Sequence, residues 1–141
     1  MITQGKTSSF ILELPLGYHV FGTGIRASDT FKIALYRSTA SLDSTTTVYT
    51  STGETSGGSY VAGGSALTVI APAVVSQVAY WGFNPVSWSG VITARGALIY
   101  NSTQGNRSVC VLDFGADKTS ASSFNVAFPA TTYTSAVIRI S

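Results

Sequence analysis

Apolar and polar residues alternate with a period of two along much of this chain, the pattern of strands whose successive side chains point to opposite faces of a sheet. The clearest case is residues 91–114, where Val-Ile-Thr-Ala-Arg-Gly-Ala-Leu-Ile-Tyr runs into the polar Asn-Ser-Thr-Gln-Gly-Asn and then into Arg-Ser-Val-Cys-Val-Leu-Asp-Phe. Two strands joined by a turn account for it, so this segment is predicted to be a hairpin. Alternation places Leu98, Tyr100 and Ile92 on one face and Val91, Ala97 and Ile99 on the other. Gly96, inside the first strand, marks a close backbone approach.

Residues 31–37 form a second strand, with Phe31, Ile33 and Leu35 turned inward and Lys32, Ala34 and Tyr36 opposite. Residues 59–70 and 74–83 read as strands separated by Ala71-Pro72-Ala73, because proline removes a backbone donor. Gly63-Gly64 within the first of them points to a bulge or a close backbone approach. Asn84-Pro85 is a turn dipeptide, residues 113–122 a polar connection, and residues 123–128 and 136–140 two further strands. Between residues 38 and 58 Ser and Thr dominate, with strand character only near Val48 and Tyr49. A loop of that length in a compact domain is usually functional or contact-making.

At the amino terminus residues 10–14 fit two forms. One is a short helix capped by Ser8 or Ser9 and limited by Pro15 and Gly17; the other is a strand. In either form residues 1–16 are a candidate docking arm. Short strands, about seven or eight of them, with a turn signal every ten or so residues, predict an all-β domain: an antiparallel β-sandwich or jelly roll.

Composition narrows the class. A chain of 141 residues is one domain by size, residues 1–141. Only 10% of residues are charged, against roughly 25% in a typical soluble domain. The net charge of +2 and the mean hydropathy of +0.30 exclude intrinsic disorder. The basic residues Lys6, Arg26, Lys32, Arg37, Arg95, Arg107, Lys118 and Arg139 are scattered, which argues against nucleic-acid binding because that needs a concentrated basic footprint. No apolar run reaches membrane-spanning length, and residues 1–10 lack the basic and apolar regions of a secretory signal, which predicts folding in a cytoplasm.

Candidate chemistry is sparse. His19 and Cys110 are the only residues of their kinds, without the paired spacing of a zinc site. Cys110 alternates with valines and reads as a small buried hydrophobe. No Gly-x-Ser-x-Gly elbow accompanies the many serines. Asp113-Phe114-Gly115 copies a kinase tripeptide without the other parts of that machinery, and reads as a strand end entering a turn. Asp113 and Asp117 are four apart and offer oxygens to a cation, but solvated turn residues are the simpler reading. The glycines between Gly53 and Gly64 match no phosphate loop and read as flexibility. Asn101-Ser-Thr and Asn106-Arg-Ser match the glycosylation acceptor pattern, which a Ser/Thr-rich chain produces by chance. Tyr80, Trp81, Phe83 and Trp88 suit either sugar stacking or a core, and core packing is the expectation. No catalytic residue, metal ligand or cofactor is assigned.

The opening Met1-Ile2-Thr3-Gln4 with Ser9-Phe10, the run from Thr30 to Tyr36, the run from Thr93 to Asn101, Asn106-Arg107, and the run from Val111 to Lys118 together resemble a family of short tailed-bacteriophage virion proteins. The likeness spans nearly the whole chain. It departs at residues 10–16, where Pro15 and apolar residues replace a more polar, helix-like stretch. It implies a non-enzymatic bacteriophage virion structural protein, foremost a capsid cement or decoration protein that stabilises the head. The alternative it leaves is a tail- or fibre-associated receptor- or carbohydrate-binding module, although the repeats and heptads of fibre shafts do not occur. The implied partners are the major capsid protein or tail proteins and further copies of the chain in a homo-oligomer, with no nucleic acid or membrane. The implied location is the virion, at the capsid surface, after assembly in the host cytoplasm.

Overall fold

A computed structural model describes residues 1–141. Ten strands and one short helix follow in the order β1 (Gly5–Lys6), α1 (Ser8–Glu13), β2 (Phe31–Tyr36), β3 (Ser65–Ala66), β4 (Val69–Val75), β5 (Val78–Phe83), β6 (Val86–Ser89), β7 (Thr93–Asn101), β8 (Arg107–Thr119), β9 (Ser123–Val126) and β10 (Ile138–Ile140). The predicted hairpin, β7 with β8, lies within an antiparallel sheet ordered β1-β8-β7-β2-β3. Its register sets Leu98 opposite Val111 and Ile99 opposite Cys110. Two smaller sheets, β10-β5-β4 and β6-β9, complete the fold.

Phe31, Ile33, Leu35, Ala97, Ile99 and Cys110 of the large sheet form one buried cluster with Trp81 and Phe83 of β5, Trp88 of β6, Phe124 and Val126 of β9, and Ile138 of β10. This is the all-β, sandwich-like layering that the alternation predicts. The sheets hold five, three and two strands, which is not the even pairing of a jelly roll. The aromatics Trp81, Phe83 and Trp88 are core, as expected.

The large sheet is buried on both faces, which the sequence pattern does not anticipate. The supposed outer face of β2, Ala34 and Tyr36, joins Ile2, Ala40, Leu42, Leu98, Tyr100 and Val111 in a second core. Its cover is the amino terminus and the loop after β2. The N–H of Thr3 donates to the carbonyl of Leu42 at 2.8 Å, and the Leu42 N–H to that of Met1 at 3.0 Å. Leu98 and Tyr100 share this face and Ala97 and Ile99 the other, as alternation requires, but Ile92 sits with Ala97 and Ile99. An irregularity between Ala94 and Gly96 inverts the alternation there.

Three further boundaries differ from expectation. Pro72 does not break its strand: β4 runs through it with a bulge between Ile70 and Ala73, tolerated because β4 is an edge. The chain reverses instead at Ser76-Gln77, so residues 74–83 are the corner of a hairpin and not one strand. β8 continues to Thr119, so residues 113–119 are strand where a polar connection was expected. Gly64 is a close approach, since a Cβ there would lie 1.7 Å from the Ile33 carbonyl oxygen. Gly96 is another, 2.4 Å from that of Leu112.

The glycine-rich stretch read as flexible is instead tied down by a single carboxylate. Glu54 accepts the hydroxyls of Tyr49 at 2.7 Å and Tyr60 at 2.6 Å and the N–H of Gly63 at 2.7 Å. Tyr100 donates to the Gly63 carbonyl at 2.6 Å. Burial and then the Glu54 charge raise the Tyr49 and Tyr60 hydroxyls above their ordinary range and push Tyr100 up to about 12. Deprotonation would set a phenolate against this carboxylate, so the cluster holds its loop through neutral donors.

Candidate functional site: a helix face clamped from beneath

Residues 1–16, expected to be a docking arm, are packed into their own domain. β1 pairs with β8, Gly5 opposite Val111 and Lys6 opposite Cys110. Of the two forms open for residues 10–14 the helix is found, capped by Thr7 and not by Ser8 or Ser9: the Thr7 hydroxyl oxygen accepts the N–H of Phe10 at 3.3 Å. The Ser108 hydroxyl donates to Thr7 Oγ1 at 2.9 Å, which fixes the cap against the start of β8. Helical spacing turns Phe10 and Glu13 inward and leaves Ile11 and Leu12 outside. Pro15 and Gly17, whose φ is +81°, end the helix.

The outward face is apolar. Leu12 and Leu16 are 65% and 63% exposed, and Ile11, Tyr18 and Val48 are exposed too. Leu12 and Val48 share a depression of about 370 Å³ with Ser9, Glu13, Thr47 and Arg107, so the helix and the loop after β2 meet in one surface.

Beneath that surface Glu13, His19, Asp29 and Asn101 are buried, and the guanidinium partners of the two acids reach the surface. Glu13 pairs with Arg107 of β8, whose guanidinium stands 4.2 Å over the Tyr18 ring in a cation–π contact. His19 is buried; its Nε2 faces the other Glu13 oxygen at 3.7 Å, beyond hydrogen-bond range. The Asn101 amide donates to Asp29 at 2.8 Å and to Nδ1 of His19 at 3.1 Å, which assigns the ring proton to Nε2, toward Glu13. Asp29 also accepts the Val20 N–H at 2.9 Å and pairs with Arg26.

The electrostatics follow from these neighbours. Burial lowers the His19 pKa, only partly opposed by the charges of Glu13 and Asp29, so the ring is held neutral. Burial would raise the Asp29 carboxyl, but hydrogen bonds from Arg26, Asn101 and Val20 outweigh it and hold the group below its ordinary range. Two carboxylates thus face two guanidiniums with a neutral imidazole between them. The ring nitrogens of His19 are turned to Asn101 and Glu13 inside the protein, where a substrate has no access, so the arrangement fixes geometry and does not present a base.

The remaining candidates are placed apart. Cys110 is buried, with its thiol pushed up to about 12 by desolvation, the behaviour of the small hydrophobe expected. Asp113 pairs with Arg95 at 2.9 Å, and that hydrogen bond holds its carboxyl below the ordinary range; it and Asp117 lie in strand β8 and not in the turn expected of them. Asn101 is wholly buried with its amide engaged, which removes it as a glycan acceptor. A larger groove of about 810 Å³ runs past Phe114, Phe128 and Tyr133. Its polar groups are spent internally: Lys6 donates to the Arg139 carbonyl at 2.9 Å, and Gln4 accepts the Asp113 N–H at 3.0 Å.

Glu13, Asn101 and Arg107 escape sequence reasoning because their partners lie far apart in the chain, whereas Asp29 and Glu54 have nearby partners at spacings that match no motif. The one signal is that Glu13 and Glu54 are lone acids in apolar or hydroxyl-rich surroundings. Compared with protein-family models, curated proteins and solved structures, the chain matches none.

Proposed function

We propose that this chain is a non-enzymatic bacteriophage virion structural protein, a capsid cement or decoration subunit that binds the major capsid protein through the outer face of α1 and the adjoining loop. The observation that carries the reading is the exposed group of Ile11 and Leu12 on α1, Leu16 and Tyr18 just after it and Val48 on the adjoining loop, around a helix held by its cap and by the ion pair of buried Glu13 with Arg107. An apolar patch of this kind on a domain of low charge gains by burial. Because α1 is already ordered, binding forfeits little conformational entropy. Ser and Thr around the patch hydrogen-bond to a neighbour without the desolvation penalty of charge. A tail-associated carbohydrate module is the second reading, supported by Phe114, Phe128 and Tyr133 along the larger groove.

The test is attachment of purified protein to particles that lack it. Leu12→Lys, a change at an exposed position, should abolish binding while the fold is retained. Quantification against the major capsid protein in intact virions separates the two readings: a copy number that scales with the capsid lattice supports cement, and a few copies confined to tail or vertex overturn it.

A further inference from the structure

We infer that the β4–β5 hairpin is a self-association surface and that its occupant is a second copy of this chain, paired across a two-fold axis at Val74. This inference is independent of the virion assignment. β4 reads Val-Ile-Ala-Pro-Ala-Val-Val without one polar side chain, and residues 71–77, through the turn, are all exposed. Val74 is 68% exposed. Gly22 lies beside Ala71 and Pro72, and on its loop Ile25 is 98% exposed, which extends the apolar surface next to the hairpin.

Charge selects the partner. Residues 55–94 contain no Asp, Glu, Lys or Arg, so the hairpin sits within a long neutral stretch on a chain whose charges all lie outside it. A charged partner would lose hydration against this surface with nothing to compensate it. A second hairpin of the same kind brings no charge to desolvate.

Backbone geometry selects the mode. β4 is the free edge of its sheet. Val75 and Val78 close the two-residue turn, so they bond to each other and the N–H and C=O of Val74 turn away from β5. Pro72, two residues back, has no N–H to offer. The edge therefore accepts one antiparallel neighbour, Val74 against Val74, and the bulge and proline stop pairing from spreading along the strand. The product is a closed two-fold dimer with a six-stranded sheet β10-β5-β4-β4-β5-β10 and not a fibre. Two hairpin tips make a small contact beside the roughly 1,000 Å² that a specific interface buries, so association depends on concentration.

Sedimentation velocity over a wide range of loading concentration tests this. The 14.7 kDa chain should shift toward twice its mass as concentration rises. Val74→Lys sets two ammonium groups against each other and should weaken dimerisation at least about tenfold, with near-ultraviolet circular dichroism unchanged because the side chain is exposed. Mixing Val74→Lys with Val74→Glu should restore a heterodimer. A wild-type protein that stays monomeric at the highest concentration, or a Val74→Lys protein that dimerises like wild type, overturns the inference. Leu12→Lys, the change that tests particle docking, should leave the dimer intact, so the two readings fail separately.

Discussion

The α1 face and the β4–β5 hairpin are both apolar and both exposed, yet they are supported in opposite ways. Behind α1 stand Phe10 in the core, the Thr7 cap, and the Glu13–Arg107 and Asp29–Arg26 pairs with neutral His19 between them. The β4 half of the hairpin, exposed from residue 71 through the turn, is held chiefly by backbone pairing to β5, in a stretch without a single charge. The difference teaches that exposed apolar area is not one property. A patch backed by buried carboxylates, each in an ion pair, is fixed in shape before anything binds it. A bare hairpin edge draws its specificity from backbone register and from the absence of charge.

The largest effect expected of this contrast is on stability. Phe10→Ala removes a wholly buried ring that touches His19 and Phe21 and should lower the unfolding free energy by about 3–5 kcal/mol. Val74→Ala at the hairpin should change it by less than about 0.5 kcal/mol. Urea denaturation of both variants checks the pair, and a similar loss in each would erase the distinction.

Next comes the clamp. Glu13→Gln leaves Arg107 without its counter-charge and His19 without the carboxylate its Nε2–H faces, and should destabilise by about 1–3 kcal/mol. It should also weaken particle attachment although Glu13 is buried, because the helix it positions carries Ile11 and Leu12. Attachment at the wild-type level, measured by co-sedimentation with particles, would show that the clamp does not shape the face.

How much of this was legible follows the same physics. β7 and β2 were readable because buried side chains force alternation, and Gly64 and Gly96 because a backbone contact excludes a Cβ. The second half of β8 was not, since residues 115–119 are exposed on both sides and carry no apolar period. The face of Ile92 was lost to a bulge, which leaves no mark in the composition. The covered outer face of the large sheet was hidden because its cover is loop and terminus, and sequence periodicity describes helices and strands only. The charged network was illegible for a different reason: Glu13, His19, Asp29, Asn101 and Arg107 converge through tertiary structure, without local spacing.

The pH response sharpens the comparison further. His19 has a lowered pKa in the folded state, so the unfolded chain binds a proton more readily. Its contribution is therefore fully present above the unfolded histidine value of about 6.5 and is lost as pH falls below it. Asp29, where burial raises the carboxyl but its hydrogen bonds lower it further, adds a second loss only as pH falls below the ordinary aspartate value of about 4. Urea midpoints collected across this range should fall in two stages. His19→Gln should remove the first stage and keep the second, and a first stage that survives the substitution would assign it elsewhere.

The smallest effect lies at the hairpin tip. Ser76 and Gln77 both have positive φ, 49° and 64°, the left-handed pair that a two-residue type I′ turn requires and that side chains other than Asn, Asp and Gly disfavour. Replacing the pair by Asn-Gly supplies the residues this turn prefers and should raise stability by about 0.5–1 kcal/mol. Since both side chains are exposed and neither belongs to a core cluster, the gain can come only from backbone conformation. Dimerisation centred on Val74 should persist in this variant, because the turn fixes the register of β4 against β5 and the substitution leaves that register unchanged. A stability gain accompanied by loss of the dimer would place the contact on the turn itself and move the two-fold axis away from Val74.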